Sequence, residues 1–212
     1  MEAHNSRLWQ RPKSVRTVAR LPPFDFSRAV ADLCDDVSRR LPELNHVRMD
    51  KIAVCFAQTR THAMHGLQAK LTPLRFRQGA MTTTRRGRTY TVQRLIHDKR
   101  EMLYILTFYL PRFFNHTFRE KFVTILHELF HISPRFDGDI RRFDGRYHVH
   151  SHSQKEYDQE MDRLAQHYLA MQPPPSLYTF LHHDFTTLQQ LHGGVVGLQI
   201  PIPKLLPVKA VG

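Results

Sequence analysis

From Phe26 onward, apolar residues recur at helical spacing. Ala29, Val30, Leu33 and Val37 share one face, and Pro42 ends the run. The pattern predicts a helix from about Phe26 to Leu41. The period then changes. In HVRMDKIAVCFAQTR, Ile52, Val54 and Phe56 alternate with the smaller Ala53, Cys55 and Ala57, as in a buried strand. A second strand is expected in GLQAKLTPLRF, interrupted by Pro73, and a third in RTYTVQRLIH, with Tyr90 and Val92. The fourth, EMLYILTFYLP, has an unbroken apolar run, which suits a central strand covered on both faces.

The second half reads as helical. In NHTFREKFVTILHELFHIS, Thr117 stands three residues before Glu120, the spacing of a capping box. Phe118, Phe122, Ile125, Leu126 and Leu129 form the apolar stripe, and Pro134 stops the helix. A loop rich in Asp, Arg and Gly follows, over 133–151. SQKEYDQEMDRLAQHYLAM is a second helix, with Tyr157, Met161, Leu164 and Tyr168 on one face. SLYTFLHHDFTTLQQLH is expected as a third, stopped by Gly193 and Gly194. The expected organisation is a basic arm over 1–23, one folded unit over 24–195, and a strand or tail over 196–212.

Composition adds limits. With 212 residues, 41% apolar, the chain can build one domain with a core. No apolar run approaches the ~20 residues that cross a bilayer, and the N-terminus lacks the apolar segment of a secretory signal. Cys34 and Cys55 are too few for a disulfide framework, so a reducing cytoplasm is expected. Lys and Arg number 31 against 19 Asp and Glu, a net charge of +12. Arg75, Arg77, Arg85, Arg86, Arg88 and Arg94 fall in one segment without an acidic residue. That segment reads either as a solvated hairpin or as a nucleic-acid contact.

The candidate chemistry lies at His127-Glu128-Leu129-Phe130-His131, an H-E-x-x-H near the end of the capped helix. Residues four apart share a helix face, so both imidazoles can reach one ion. Glu128 sits about 100° around the helix, an offset that lets a carboxylate act on water rather than ligate. A catalytic zinc ordinarily takes a third protein ligand. Asp137 has the offset of a metzincin-like site, but Pro134 stands where such sites need glycine. Glu156 or Glu160 would serve from the following helix. His148, His150 and His152 alternate in RYHVHSHSQKEYD and so point the same way if extended. His152, at the start of the next helix, is preferred, with the others open. Arg146, Tyr147, His148 and His150 are the candidates for stabilising an oxyanion.

ILHELFHIS, the loop with FDGDIRRFDGR, and HSHSQKEYD together resemble the SprT-like and phage-type zinc metallopeptidases, over roughly residues 46–170. The resemblance implies an α+β, minimal zincin-like fold: a small mixed sheet, the H-E-x-x-H helix and further packing helices. It implies Zn2+ held by His127, His131 and His152, with Glu128 as general base and Tyr157 as the aromatic following the third histidine. The chain lacks the C-terminal cysteine zinc ribbon of many SprT-like proteins, so their link to DNA is not implied. The expected activity is hydrolysis of peptide bonds, with the 102–110 strand beside the cleft. The rival is a basic nucleic-acid-associated protein, with a four-ligand structural zinc or a protease tethered to DNA.

Overall fold

The computed structural model describes residues 21–59, 66–142 and 154–208. In chain order, a two-residue strand β1 (Phe24–Asp25) leads into helix α1 (Phe26–Arg40), and strands β2 (Ile52–Gln58) and β3 (Ala69–Pro73) follow. A hairpin of β4 (Thr82–Arg85) and β5 (Arg88–Val92) precedes the short β6 (Ile96–His97) and β7 (Arg100–Glu101). Then come β8 (Tyr104–Leu110), α2 (Phe118–Phe130), α3 (Gln154–Ala170), α4 (Phe185–His192), β9 (Val195–Val196) and β10 (Leu205–Pro207). The architecture is α+β.

The main sheet has the order β2-β8-β3. β8 runs parallel to β2 from Ile52↔Tyr104 to Gln58↔Leu110, and antiparallel to β3 from Ala69↔Phe108 to Pro73↔Tyr104. Its continuous apolar run has a direct cause. Tyr104, Leu106, Phe108 and Leu110 enter the large core beneath α1 and α2, while Ile105 joins a smaller cluster with Cys55, Leu74 and Met102 on the other face. The sequence places this strand beside the cleft, free to pair with a peptide. The structure corrects that: both edges of β8 are occupied, and among the described residues the outer edge of β3 pairs with no strand.

Phe26 anchors the main core with no exposed surface. Its ring stands edge-on to Phe56, Phe108, Phe113 and Phe114, at centroid distances of 6.0, 5.4, 6.2 and 5.6 Å. Asp25 caps α1 by accepting from the Arg28 N–H at 3.0 Å. The capping box of α2 is formed as the sequence predicts: Glu120 N–H donates to Thr117 Oγ1, and Thr117 N–H donates to the Glu120 carboxylate at 2.8 Å. The third predicted helix is interrupted. Short 3-10 turns span Pro175–Leu177 and Thr179–His182, and α4 begins only at Phe185. The cause is Asp184, whose carboxylate accepts from the Thr187 N–H at 2.7 Å and so starts a new helix in mid-segment.

A second sheet, β10-β5-β4, stands beside the first. Its hairpin turns at Arg86 and Gly87, both left-handed, as a two-residue turn requires. Glu101 ties this region down. It accepts from Arg75 at 2.7 Å and from Arg94 at 2.9 and 3.0 Å. The two guanidiniums hold its pKa at about 2, against an ordinary 4.5. A depressed carboxyl stabilises the fold above its unfolded pKa and loses that stabilisation as pH falls through the folded value. Thermal melts should therefore lose stability between about pH 4.5 and 2. Glu101→Gln should lower the melting temperature at neutral pH and flatten that part of the acid slope.

Candidate metal centre

α2 lies against β3, and the site forms where they meet. His127 and His131, one helical turn apart, set their rings at 4.6 Å and 82° to each other. Glu128 turns from the histidine face toward the sheet and is buried. Ligand atoms of His127, Glu128 and His131 all fall within 4.8 Å of one another. Two imidazoles at that separation can hold a divalent transition ion, with the carboxylate beside them.

Backbone alternation explains the position of Glu128. Tyr109 N–H donates to the Gln68 carbonyl, and Leu74 N–H to the Leu103 carbonyl, both at 2.9 Å. Even-numbered residues of β3 therefore turn their backbone groups toward β8. Ala69, Leu71 and Pro73 turn theirs to the open edge. Pro73 has no N–H to offer, and at an outward position it leaves the ladder intact. Leu71 N–H donates to Glu128 Oε2 at 2.6 Å. Burial pushes the Glu128 carboxyl up to about 7, opposed by the Leu71 N–H and by the charge of Lys70. A carboxyl tuned to that range suits proton transfer near neutral pH.

α3 covers the histidines with Tyr157. Its ring meets His127 edge-on at 4.7 Å, stacks with His131 at 6.1 Å and 19°, and its hydroxyl donates to the His127 carbonyl at 3.4 Å. Beyond His131 the chain doubles back, bridging Ile132 to Ile140. Phe136 and Gly138 take the positive φ values, 51° and 86°, so Pro134 is not asked to turn the chain. A Cβ on Gly138 would fall 2.5 Å from Arg75 Cγ, which makes glycine necessary there. Buried Tyr104 pins this loop, accepting from Gly138 N–H and donating to the Asp139 carbonyl, each at 2.9 Å.

The returning segment brings in Arg141, which the sequence did not single out. Its N–H donates to the His131 carbonyl at 2.7 Å, and its guanidinium lies over the Phe130 ring at 3.9 Å. Burial pushes its pKa down. No periodic pattern marks it, because its place depends on how the 132–141 loop closes.

The structure thus brings His127, Glu128 and His131 together. Asp137 accepts from the Asp139 N–H, Glu160 is bonded to Arg163, and neither joins the cluster among the described residues. Arg146, Tyr147, His148, His150 and His152 lie outside the described residues, as does the side chain of Glu156. Of the arginine-rich segment, Arg75 and Arg94 are spent on Glu101, while Arg77, Arg85, Arg86 and Arg88 are exposed. Among the described residues, no helix is long and apolar enough to cross a membrane.

A family model described as "putative phage metallopeptidase" matches residues 24–169. No curated protein and no solved structure matches the chain. The matched span runs from β1 into the last turn of α3 and encloses His127, Glu128, His131 and Tyr157. The His127–Glu128–His131 cluster sits inside a match covering well over half of the sequence, and the chain belongs to that metallopeptidase family.

Proposed function

We propose that the protein is a zincin-type, zinc-dependent peptidase, with His127, His131 and His152 as ligands and Glu128 as general base. The observation that carries this is the anchoring of Glu128: its Oε2 is held by the Leu71 N–H beside the two imidazoles. When bound, zinc supplies a Lewis acid that polarises a carbonyl and acidifies water. The chain supplies the rest. Leu71 fixes the carboxylate, and Glu128 Oε1 is left to take a proton from the attacking water and pass it to the leaving amine. The outward carbonyls of Ala69 and Leu71 and the Ala69 N–H give an extended peptide a strand to pair with. Both thiols, Cys34 and Cys55, are free and buried, which supports work in a reducing cytoplasm.

The test is zinc content together with a structure of the zinc-loaded protein. The expected result is one zinc per chain, with His127, His131, His152 and an open fourth position. Four protein ligands closing the site would overturn catalysis in favour of a structural zinc.

A further inference from the structure

We propose that β3 and the basic groove beside it select peptides carrying acidic side chains at alternating positions. The inference rests on the peptidase reading and names its substrate class. Lys70 and Thr72 point to the face of β3 opposite Ala69 and Leu71, which are buried in the core beneath α2. On that face lies a hollow of about 630 Å³ between β3, the β4–β5 hairpin and the 139–142 segment. Five cations line it: Lys70, Arg75, Arg77, Arg85 and Arg142. The carboxylate in its wall among the described residues, Asp139, is already committed. It accepts from the N–H groups of Gln78 and Ile140 and from Arg142 at 2.7 and 3.0 Å. Glu101 occupies Arg75. Lys70, Arg77 and Arg85 form no ion pair among the described residues, although the charge of Lys70 also acts on Glu128. Among the described residues, the hollow therefore holds charge that no carboxylate pairs with.

The open edge leads a peptide past this hollow. At residue 75 the edge is closed, because Arg75 N–H donates to the Gly138 carbonyl at 3.0 Å. Among the described residues, the span left for a peptide added to β3 is Ala69–Pro73, where the Leu71 carbonyl is on offer but its N–H is held by Glu128. The peptide's side chains alternate between the two faces, and every second one, spaced about 7 Å apart, hangs on the side of Lys70 and Thr72. Carboxylates there meet Lys70, Arg77 and Arg85. This continuity with the strand edge favours a peptide over a nucleic acid as the occupant.

The experiment uses three fluorescent decapeptides, identical except for Glu, Gln or Lys at alternating positions. Binding is measured by anisotropy on the zinc-loaded full chain carrying Glu128→Gln, and cleavage on the unmodified protein. The Glu peptide should bind roughly tenfold tighter than the Gln peptide at low salt, with the difference shrinking as salt rises. Adding Arg77→Glu and Arg85→Glu should abolish the preference. Adding Arg28→Glu and Arg39→Glu instead, an equal charge change on exposed positions of α1, should leave it in place. Equal affinities for the Glu and Gln peptides would overturn the proposal. So would loss of the preference in both double variants, which means long-range attraction only. Binding of a single-stranded oligonucleotide that depends on Arg77 and Arg85, without a peptide preference, would also overturn it and assign the groove to nucleic acid. Failure of the unmodified protein to cleave all three peptides would count against the peptidase reading, while the binding arm still judges the groove.

Discussion

Replacing Glu128 with glutamine is expected to lower kcat for peptide hydrolysis by about 10²–10⁴-fold, the usual contribution of a general base. Zinc content and melting temperature should stay close to those of the unmodified protein. The amide matches the carboxylate in volume, and its oxygen can still accept from the Leu71 N–H that holds Oε2 at 2.6 Å. What the amide cannot do is take a proton. Because the carboxyl is buried and its ionised form disfavoured, removing its charge adds no new desolvation cost. The loss should therefore fall on kcat rather than on folding. Three measurements on one preparation check this: initial rates with a quenched peptide, zinc per chain, and a thermal melt. Cleavage at an undiminished rate would remove Glu128 from the mechanism.

The largest expected loss of stability comes from Phe26→Ala, at about 3–5 kcal/mol. The ring is wholly buried and meets four other phenylalanines edge-on. Those partners come from β2, β8 and the turn before α2, so the void would open where α1 crosses the sheet. Urea unfolding should show a lower midpoint with little change in slope. Ile202→Ala, at a position 77% exposed, should leave the midpoint nearly unchanged. A comparably small effect for Phe26→Ala would mean that the α1–sheet core is not the structure's main support.

These outcomes rest on features of unequal visibility in the sequence. The capping box at Thr117 and Glu120 was legible because it is a local reciprocal bond. The H-E-x-x-H cluster was legible because helical spacing alone brings His127 and His131 together. β8 revealed itself as central through its unbroken apolar run. Which strand carries the open edge was not legible, since that depends on strand order rather than on period. Pro73 was the available sign: a proline tolerated within a strand marks an outward N–H position. The break at Asp184 was missed because the residues around it keep the apolar spacing of one long helix. Arg141 has no local signature, for its position depends on the Ile132–Ile140 bridge and on Tyr104 reaching across from the sheet.

The bond between Leu71 and Glu128 bears on how the protein avoids its own kind. An unpaired strand edge is a template on which another chain can stack, and soluble proteins blunt such edges. β3 has lost most of its outward donors: Leu71 gives its N–H to Glu128 and Pro73 has none, while just past the strand Arg75 gives its N–H to Gly138. Among the described residues, Ala69 is the position of β3 that keeps an outward N–H, at the far end of the strand. A second copy of β3 laid antiparallel would bring acceptors mostly against acceptors. Such an edge is poorly matched to itself, yet still open to a visiting peptide that brings its own N–H groups.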